Sequence, residues 1–155
     1  ARPKLIIADE PTTALDVTVQ AQILRLMEGI VKNHGTALIL ITHDLAVVSG
    51  LTERVAVMYC GRIVEEGPTA LVIHSPLHPY TEGLLNSIPR MEKKSRRLPQ
   101  ISGMAPNLPE FSDSCAFAPR CPNAFEKCLR AAPPMRQTGA GRRTACHLRG
   151  GETEK

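Results

Sequence analysis

The sequence predicts an α/β fold followed by an irregular, cysteine- and proline-rich C-terminal extension. Three observations carry that expectation. Short apolar runs without alternation occur at Leu5-Ile6-Ile7-Ala8 and from Ala37 to Ile41, and an apolar 3.6-residue period lies between them. Ten of the thirteen prolines fall between Pro76 and Pro134. Unalternating runs mark strands buried on both faces, and strand–helix–strand order is the grammar of a parallel sheet. Proline fixes φ and removes a backbone donor, so long regular elements are not expected in the extension.

The elements follow in order. Asp16 or Thr18 can cap a helix that runs to about His34, with Val19, Ile23, Leu26, Ile30 and Val31 on its apolar face and Gly35 as its stop. After the strand ending at Ile41, the stretch from Asp44 to about Glu53 reads as a short helix. Val55 to Tyr59 and Arg62 to Glu65 flank Cys60-Gly61 as the arms of a hairpin. Gly67-Pro68 opens a short helix with proline at its first position, and Thr81 to Ser87 forms another. The expected division is residues 1–67, an extension over 68–149, and a tail at 150–155.

The chain has 155 residues, 43% apolar and 22% charged, which is enough apolar surface to exclude a wholly disordered chain. No apolar run approaches the ~20 residues of a membrane span, and no signal peptide is visible. The chain opens at Ala1 without methionine and reads as a fragment. Its net charge of +4 hides an asymmetry. Residues 1–89 hold six Lys/Arg against nine Asp/Glu, whereas residues 90–149 hold twelve against four. Without interleaved aromatics to stack on bases, this basic third is read as a solvated surface, with no nucleic-acid partner. Arg90, Lys93, Lys94, Arg96 and Arg97 are expected at a surface near an anionic leaflet or a partner subunit.

Asp9 and Glu10 stand at the carboxyl end of the first strand, and His43 at the matching end of the second. Ligands of open α/β sheets bind outside those strand ends. Of two adjacent carboxylates there, one can hold Mg²⁺ and the other can orient an attacking water. The stretch Leu5-Ile6-Ile7-Ala8-Asp9-Glu10-Pro11-Thr12-Thr13-Ala14-Leu15-Asp16 resembles the Walker B strand and D-loop of ABC-transporter ATPase subunits. Ile41-Thr42-His43-Asp44-Leu45 resembles their switch-histidine motif, and Val57 to Gly67 the hairpin that follows. The resemblance implies the C-terminal part of a P-loop NTPase (ABC ATPase) domain, with ATP and Mg²⁺ as its ligands. It gives Asp9 the Mg²⁺, Glu10 the catalytic carboxylate, Asp16 the D-loop role across an ATP-sandwich dimer, and His43 the γ-phosphate.

One departure from that family is large. The 155 residues contain no G-x-x-x-x-G-K-[ST] phosphate loop, no signature motif and no Q-loop glutamine. The chain alone is therefore expected to be inactive as an ATPase. Ser75-Pro76-Leu77-His78-Pro79-Tyr80-Thr81, with Leu84-Leu85 and Ser87-Ile88-Pro89, resembles the C-terminal extension of oligopeptide, dipeptide and nickel importer ATPases. That resemblance implies energised peptide import at the cytoplasmic face of the inner membrane. It also implies transmembrane permease subunits, a second ATPase subunit and, indirectly, an extracytoplasmic peptide-binding protein as partners.

Cys60 stands alone at the hairpin and reads as small apolar filler. Cys115, Cys121, Cys128 and Cys146 are spaced x5, x6 and x17 in a stretch with few core-forming residues. Four clustered cysteines in a cytosolic chain favour a metal site, with spacings looser than those of most zinc ribbons. A [4Fe–4S] cluster fits first, zinc is the alternative, and free thiols or disulfides remain open. Importers of this kind resemble the pattern and are associated with such a cluster. A soluble ABC-type ATPase and a metal-stabilised binding module are the competing functional readings.

Overall fold

The computed structural model describes residues 3–88, 100–104 and 113–149. The basic stretch from Arg90 to Arg97 lies outside the described residues. Two compact units divide between Thr52 and Glu53.

In the first unit, β1 (Leu5–Asp9) pairs in parallel with β2 (Ala37–Ile41), from Leu5 opposite Ala37 to Asp9 opposite Ile41. They are joined through α1 (Val17–His34), and α2 (Leu45–Leu51) follows β2. Asp16 caps α1 by accepting from the N–H groups of Thr18 and Val19. Gly35 ends α1 at φ 62°, a left-handed conformation that glycine adopts without a Cβ penalty. Asp44 caps α2 in the same way through Ala46 and Val47.

The strands were expected to be buried on both faces, and within this unit they are not. Ala8 is buried and Ile6, Leu38 and Leu40 are half-buried, while Leu5, Ile7, Ile39 and Ile41 on the opposite face are exposed, Ile7 to 63%. A parallel pair closed through one crossover helix has one face for that helix to cover.

The second unit is built on a four-stranded antiparallel sheet in the order β3-β4-β6-β5. β3 (Arg54–Tyr59) and β4 (Arg62–Pro68) form the expected hairpin, turned by Cys60 at φ 46° and Gly61 at φ 74°. Two consecutive positive φ values match the twist of the arms. α3 (Thr69–His74) follows β4 directly, and α4 (Pro79–Asn86) starts two residues earlier than expected, with Pro79 in its first turn and His78 as its cap.

The extension is more regular than its prolines predict. A short 3₁₀ turn covers Ala118–Arg120, α5 covers Glu126–Arg130, and β5 (Arg136–Gly139) and β6 (Arg142–Thr144) form a second hairpin. Glu65 and Glu66 of β4 pair with Thr144 and Arg143 of β6. The division expected at residue 67 thus falls inside β4, and the first hairpin shares its sheet with the extension.

Val57, Tyr59, Val64, Val72, Ala116 and Phe117 form the core of this unit. Tyr59, Tyr80 and Phe117 meet at ring-centroid distances of 4.5–5.4 Å, in the tilted and edge-on arrangements that aromatic quadrupoles favour. Glu65 is fully buried among donors. It accepts from the N–H groups of Leu77 and His78 at 2.9 Å each and from Arg142 Nη2 at 2.8 Å. Arg142 also donates to the Ser75 carbonyl. A Cβ at Gly67 would stand 2.8 Å from Arg142 Cγ, so glycine there lets the arginine pass.

Candidate functional site

The strand ends of the first unit bring Glu10 and His43 together. The Glu10 N–H donates to the Ile41 carbonyl at 2.8 Å, which carries the parallel ladder one residue past Asp9. Glu10 then adopts φ 45°, a left-handed conformation uncommon for a residue with a Cβ. A turn follows, closed by Thr13 N–H to Glu10 carbonyl at 3.1 Å and Leu15 N–H to Thr12 carbonyl at 3.3 Å. Just past β2, Thr42 Oγ1 accepts from the Asp44 N–H at 3.1 Å, and Asp44 caps α2. His43 is held between these two fixtures.

His43 Nδ1 lies 3.1 Å from Glu10 Oε1. The Thr13 hydroxyl donates to Glu10 Oε2 at 2.7 Å. Each carboxylate oxygen therefore has its own partner. The Thr13 hydroxyl, and after it His43, holds the Glu10 carboxyl below the usual carboxylate range, because both contacts favour the ionised form. Both groups remain open to solvent, with side-chain exposures of 78% for His43 and 45% for Glu10.

Asp9 is exposed at the end of β1, one residue before Glu10. Such a carboxylate at a strand end suits a hard cation with oxygen ligands. Asp16 is placed otherwise: its Oδ1 takes two backbone N–H groups at 3.0 Å in capping α1. Sequence reasoning did not single out Thr13. Its one signal is a hydroxyl three residues after the carboxylate, within a turn.

The second candidate group is the four cysteines. All are free thiols. Burial pushes the thiols of Cys115, Cys121 and Cys146 up, and neighbouring cysteines push the same way. At Cys146 the neighbouring thiols that add to the upward shift are Cys121, Cys115 and Cys128. Backbone N–H groups oppose that shift, two residues on in each case: Phe117 for Cys115, Asn123 for Cys121 and Leu148 for Cys146. The Cys115 N–H also donates to the Cys128 carbonyl at 2.9 Å. Among the described residues, no group of three or more His, Cys, Asp or Glu side chains stands at metal-holding separation. Four thiols are the donor type of a thiolate-bound metal, but the separations expected of such a site are not found among them. Cys60 packs against the hydrophobic core instead.

No helix among the described residues is long and apolar enough to cross a membrane. Residues 64–128 match the family described as the oligopeptide/dipeptide transporter C-terminal region. The chain is 50% identical over 145 residues to the oligopeptide transport ATP-binding protein OppD of Escherichia coli (strain K12), covering 94% of this chain and 43% of that protein. It is 49% identical over 146 residues to the oligopeptide transport ATP-binding protein AppD of Bacillus subtilis (strain 168), covering 94% and 44%. It is 43% identical over 146 residues to the dipeptide transport ATP-binding protein DppD of Escherichia coli (strain K12), covering 94% and 45%. The chain thus spans less than half the length of these curated relatives.

Proposed function

From the premise that this chain belongs to the oligopeptide/dipeptide transporter family of ATP-binding proteins, we propose that it serves an ATPase subunit that energises import of di- or oligopeptides. The observation that carries the reading is the Glu10–His43 contact across the ends of two parallel strands. In hydrolysis, the oxygen of water bonds to the γ-phosphorus as the bond to the bridging oxygen of ADP breaks. Glu10 orients that water and takes its proton, which passes on to the phosphate released. His43 donates to a γ-phosphate oxygen, and the Asp9 carboxylate would hold Mg²⁺, which would neutralise charge on the phosphates. Asp16 communicates with the second ATPase subunit. Transmembrane permease subunits bind the assembly at the cytoplasmic face of the membrane, and an extracytoplasmic binding protein delivers the peptide.

The test uses a full-length subunit of this sequence assembled with its permease. Glu10→Gln is expected to keep ATP affinity and lower turnover by about 10²-fold or more, and His43→Ala to lower it strongly. Parental turnover in either variant removes that residue's role. These 155 residues alone, without a phosphate loop, are expected to show no turnover.

For Cys115, Cys121, Cys128 and Cys146 the proposal is a structural thiolate-bound metal centre, [4Fe–4S] ahead of zinc. These four would be its ligands, and its binding energy would add to folding by cross-linking segments that the sequence places far apart. The spacing of the four cysteines and the Cys115 N–H bonded to the Cys128 carbonyl at 2.9 Å support it. Iron and sulfide analysis of anaerobically purified chain separates the two metals. Cys121→Ser is expected to lose the metal, whereas Cys60→Ser is expected to retain it.

A further inference from the structure

We infer that Thr13 is a positioning residue for hydrolysis: its hydroxyl ties one oxygen of Glu10 so that the carboxylate presents the other, beside His43, to the attacking water. The inference rests on the proposed role of Glu10 and adds a residue that neither that role nor the sequence motifs assign.

The terminal torsion of a glutamate is broad and nearly twofold, so an untethered carboxylate samples many orientations. Here both oxygens have partners, at 2.7 Å from Thr13 Oγ1 on one side and 3.1 Å from His43 Nδ1 on the other. Two points of attachment fix the plane of the group. The backbone makes this possible. Glu10 at φ 45° and the Thr13 N–H bonded to the Glu10 carbonyl fold the chain back, and the Thr13 hydroxyl meets the carboxylate three residues upstream. Threonine hydroxyls in turns usually bond to neighbouring backbone groups. Thr13 spends its donor on a side chain that faces solvent. His43 alone would not suffice, because its exposed ring is shared with the γ-phosphate in the proposed reaction.

Two effects of the hydroxyl oppose each other. Donation to a carboxylate withdraws charge and makes it a weaker base, which alone would slow proton transfer. Orientation acts the other way, since misplacing a catalytic group by about 1 Å can cost 10²-fold. For a reaction dominated by positioning and charge stabilisation, orientation is the larger effect.

The experiment measures ATP turnover of the full-length subunit assembled with its permease, as parental protein and as Thr13→Val, Thr13→Ser and Glu10→Gln variants. Valine matches threonine in shape and lacks the donor. Thr13→Val is expected to lower kcat about tenfold with KM for ATP within about twofold, and Thr13→Ser to restore most of the loss. In the Glu10→Gln background, Thr13→Val is expected to add no further loss, because the two act as one unit. Parental or faster kcat in Thr13→Val overturns the inference. Equal losses in the valine and serine variants, accompanied by a rise in KM, also overturn it by assigning Thr13 to the integrity of the turn. Parental turnover in Glu10→Gln defeats the underlying reading instead, whatever Thr13 does.

Discussion

Glu10 and His43 of the first unit stand exposed at strand ends, whereas Glu65 and His78 of the second are buried. The residue types are the same and the environments are opposite. Glu10 has two side-chain partners and open solvent beyond them. Glu65 has two backbone N–H groups and a guanidinium, and it is fully buried. His43 meets Glu10 through an accessible ring. His78, 2% exposed, uses Nδ1 to accept the Tyr80 N–H and start α4. Glu65 and His78 are consumed in holding the His-Pro-Tyr turn to the sheet and in starting α4. Glu10 and His43 are left where a ligand can reach them, and this is why the proposed chemistry is placed on them.

The sharpest break of that comparison is Arg142→Met. It removes the cation that faces Glu65 and leaves a buried carboxylate with only backbone donors. Breaking one side of a buried pair costs about 3–5 kcal/mol, so urea unfolding of this chain should show a loss of that order. Glu10→Gln should leave the unfolding midpoint where it is. Equal effects of the two substitutions would mean that the buried and exposed pairs do not differ as described.

His78 provides a pH test of the same contrast. Burial lowers its pKa from 6.5 to about 4, against the opposing pull of Glu65. A depressed folded pKa means that the unfolded chain binds more protons between the two values, so stability rises with pH there. The contribution is complete above about pH 6.5, falls as pH drops toward 4, and amounts to about 3 kcal/mol across that window. His78→Asn keeps a capping acceptor without the titration. Unfolding free energies at pH 4.5 and 7.5 should therefore lie closer together in the variant than in the parent. An unchanged difference would remove His78 as the source.

What was legible in the sequence divides along the same line. Asp16, Gly35, Asp44 and the Cys60-Gly61 turn announce themselves because caps and turns are local, and the apolar runs place β1 and β2. The pairing of β6 with β4 does not show. Arg136 to Gly139 and Arg142 to Thr144 are polar and lack apolar alternation, and Arg142 finds Glu65 across 77 residues of sequence. A charge whose partner is that distant reads as solvated surface. The exposed face of β1 and β2 was missed for a related reason: an apolar run reports what a strand can bury, not what stands beside it. Glu10 and His43 stand out through their motifs and meet at 3.1 Å. The four cysteines stand out through spacing alone, with no group of three or more at metal-holding separation among the described residues. Thr13 needed the left-handed turn at Glu10 before its hydroxyl had a target.

The smallest expected effect belongs to Asp16, whose two readings it separates. Its carboxylate caps α1 through two 3.0 Å bonds, an exposed and local contribution. Asp16→Ala should cost about 1 kcal/mol. Asp16→Asn keeps an acceptor of similar capping rank and should cost only a few tenths. Thermal unfolding of the chain measures both. If capping is all that Asp16 does, the asparagine variant of the assembled transporter should hydrolyse ATP at the parental rate. If the carboxylate also carries a signal across the paired ATPase subunits, turnover should fall in Asp16→Asn while its stability stays put. The asparagine variant therefore tells the two apart, because it removes the charge and leaves the cap.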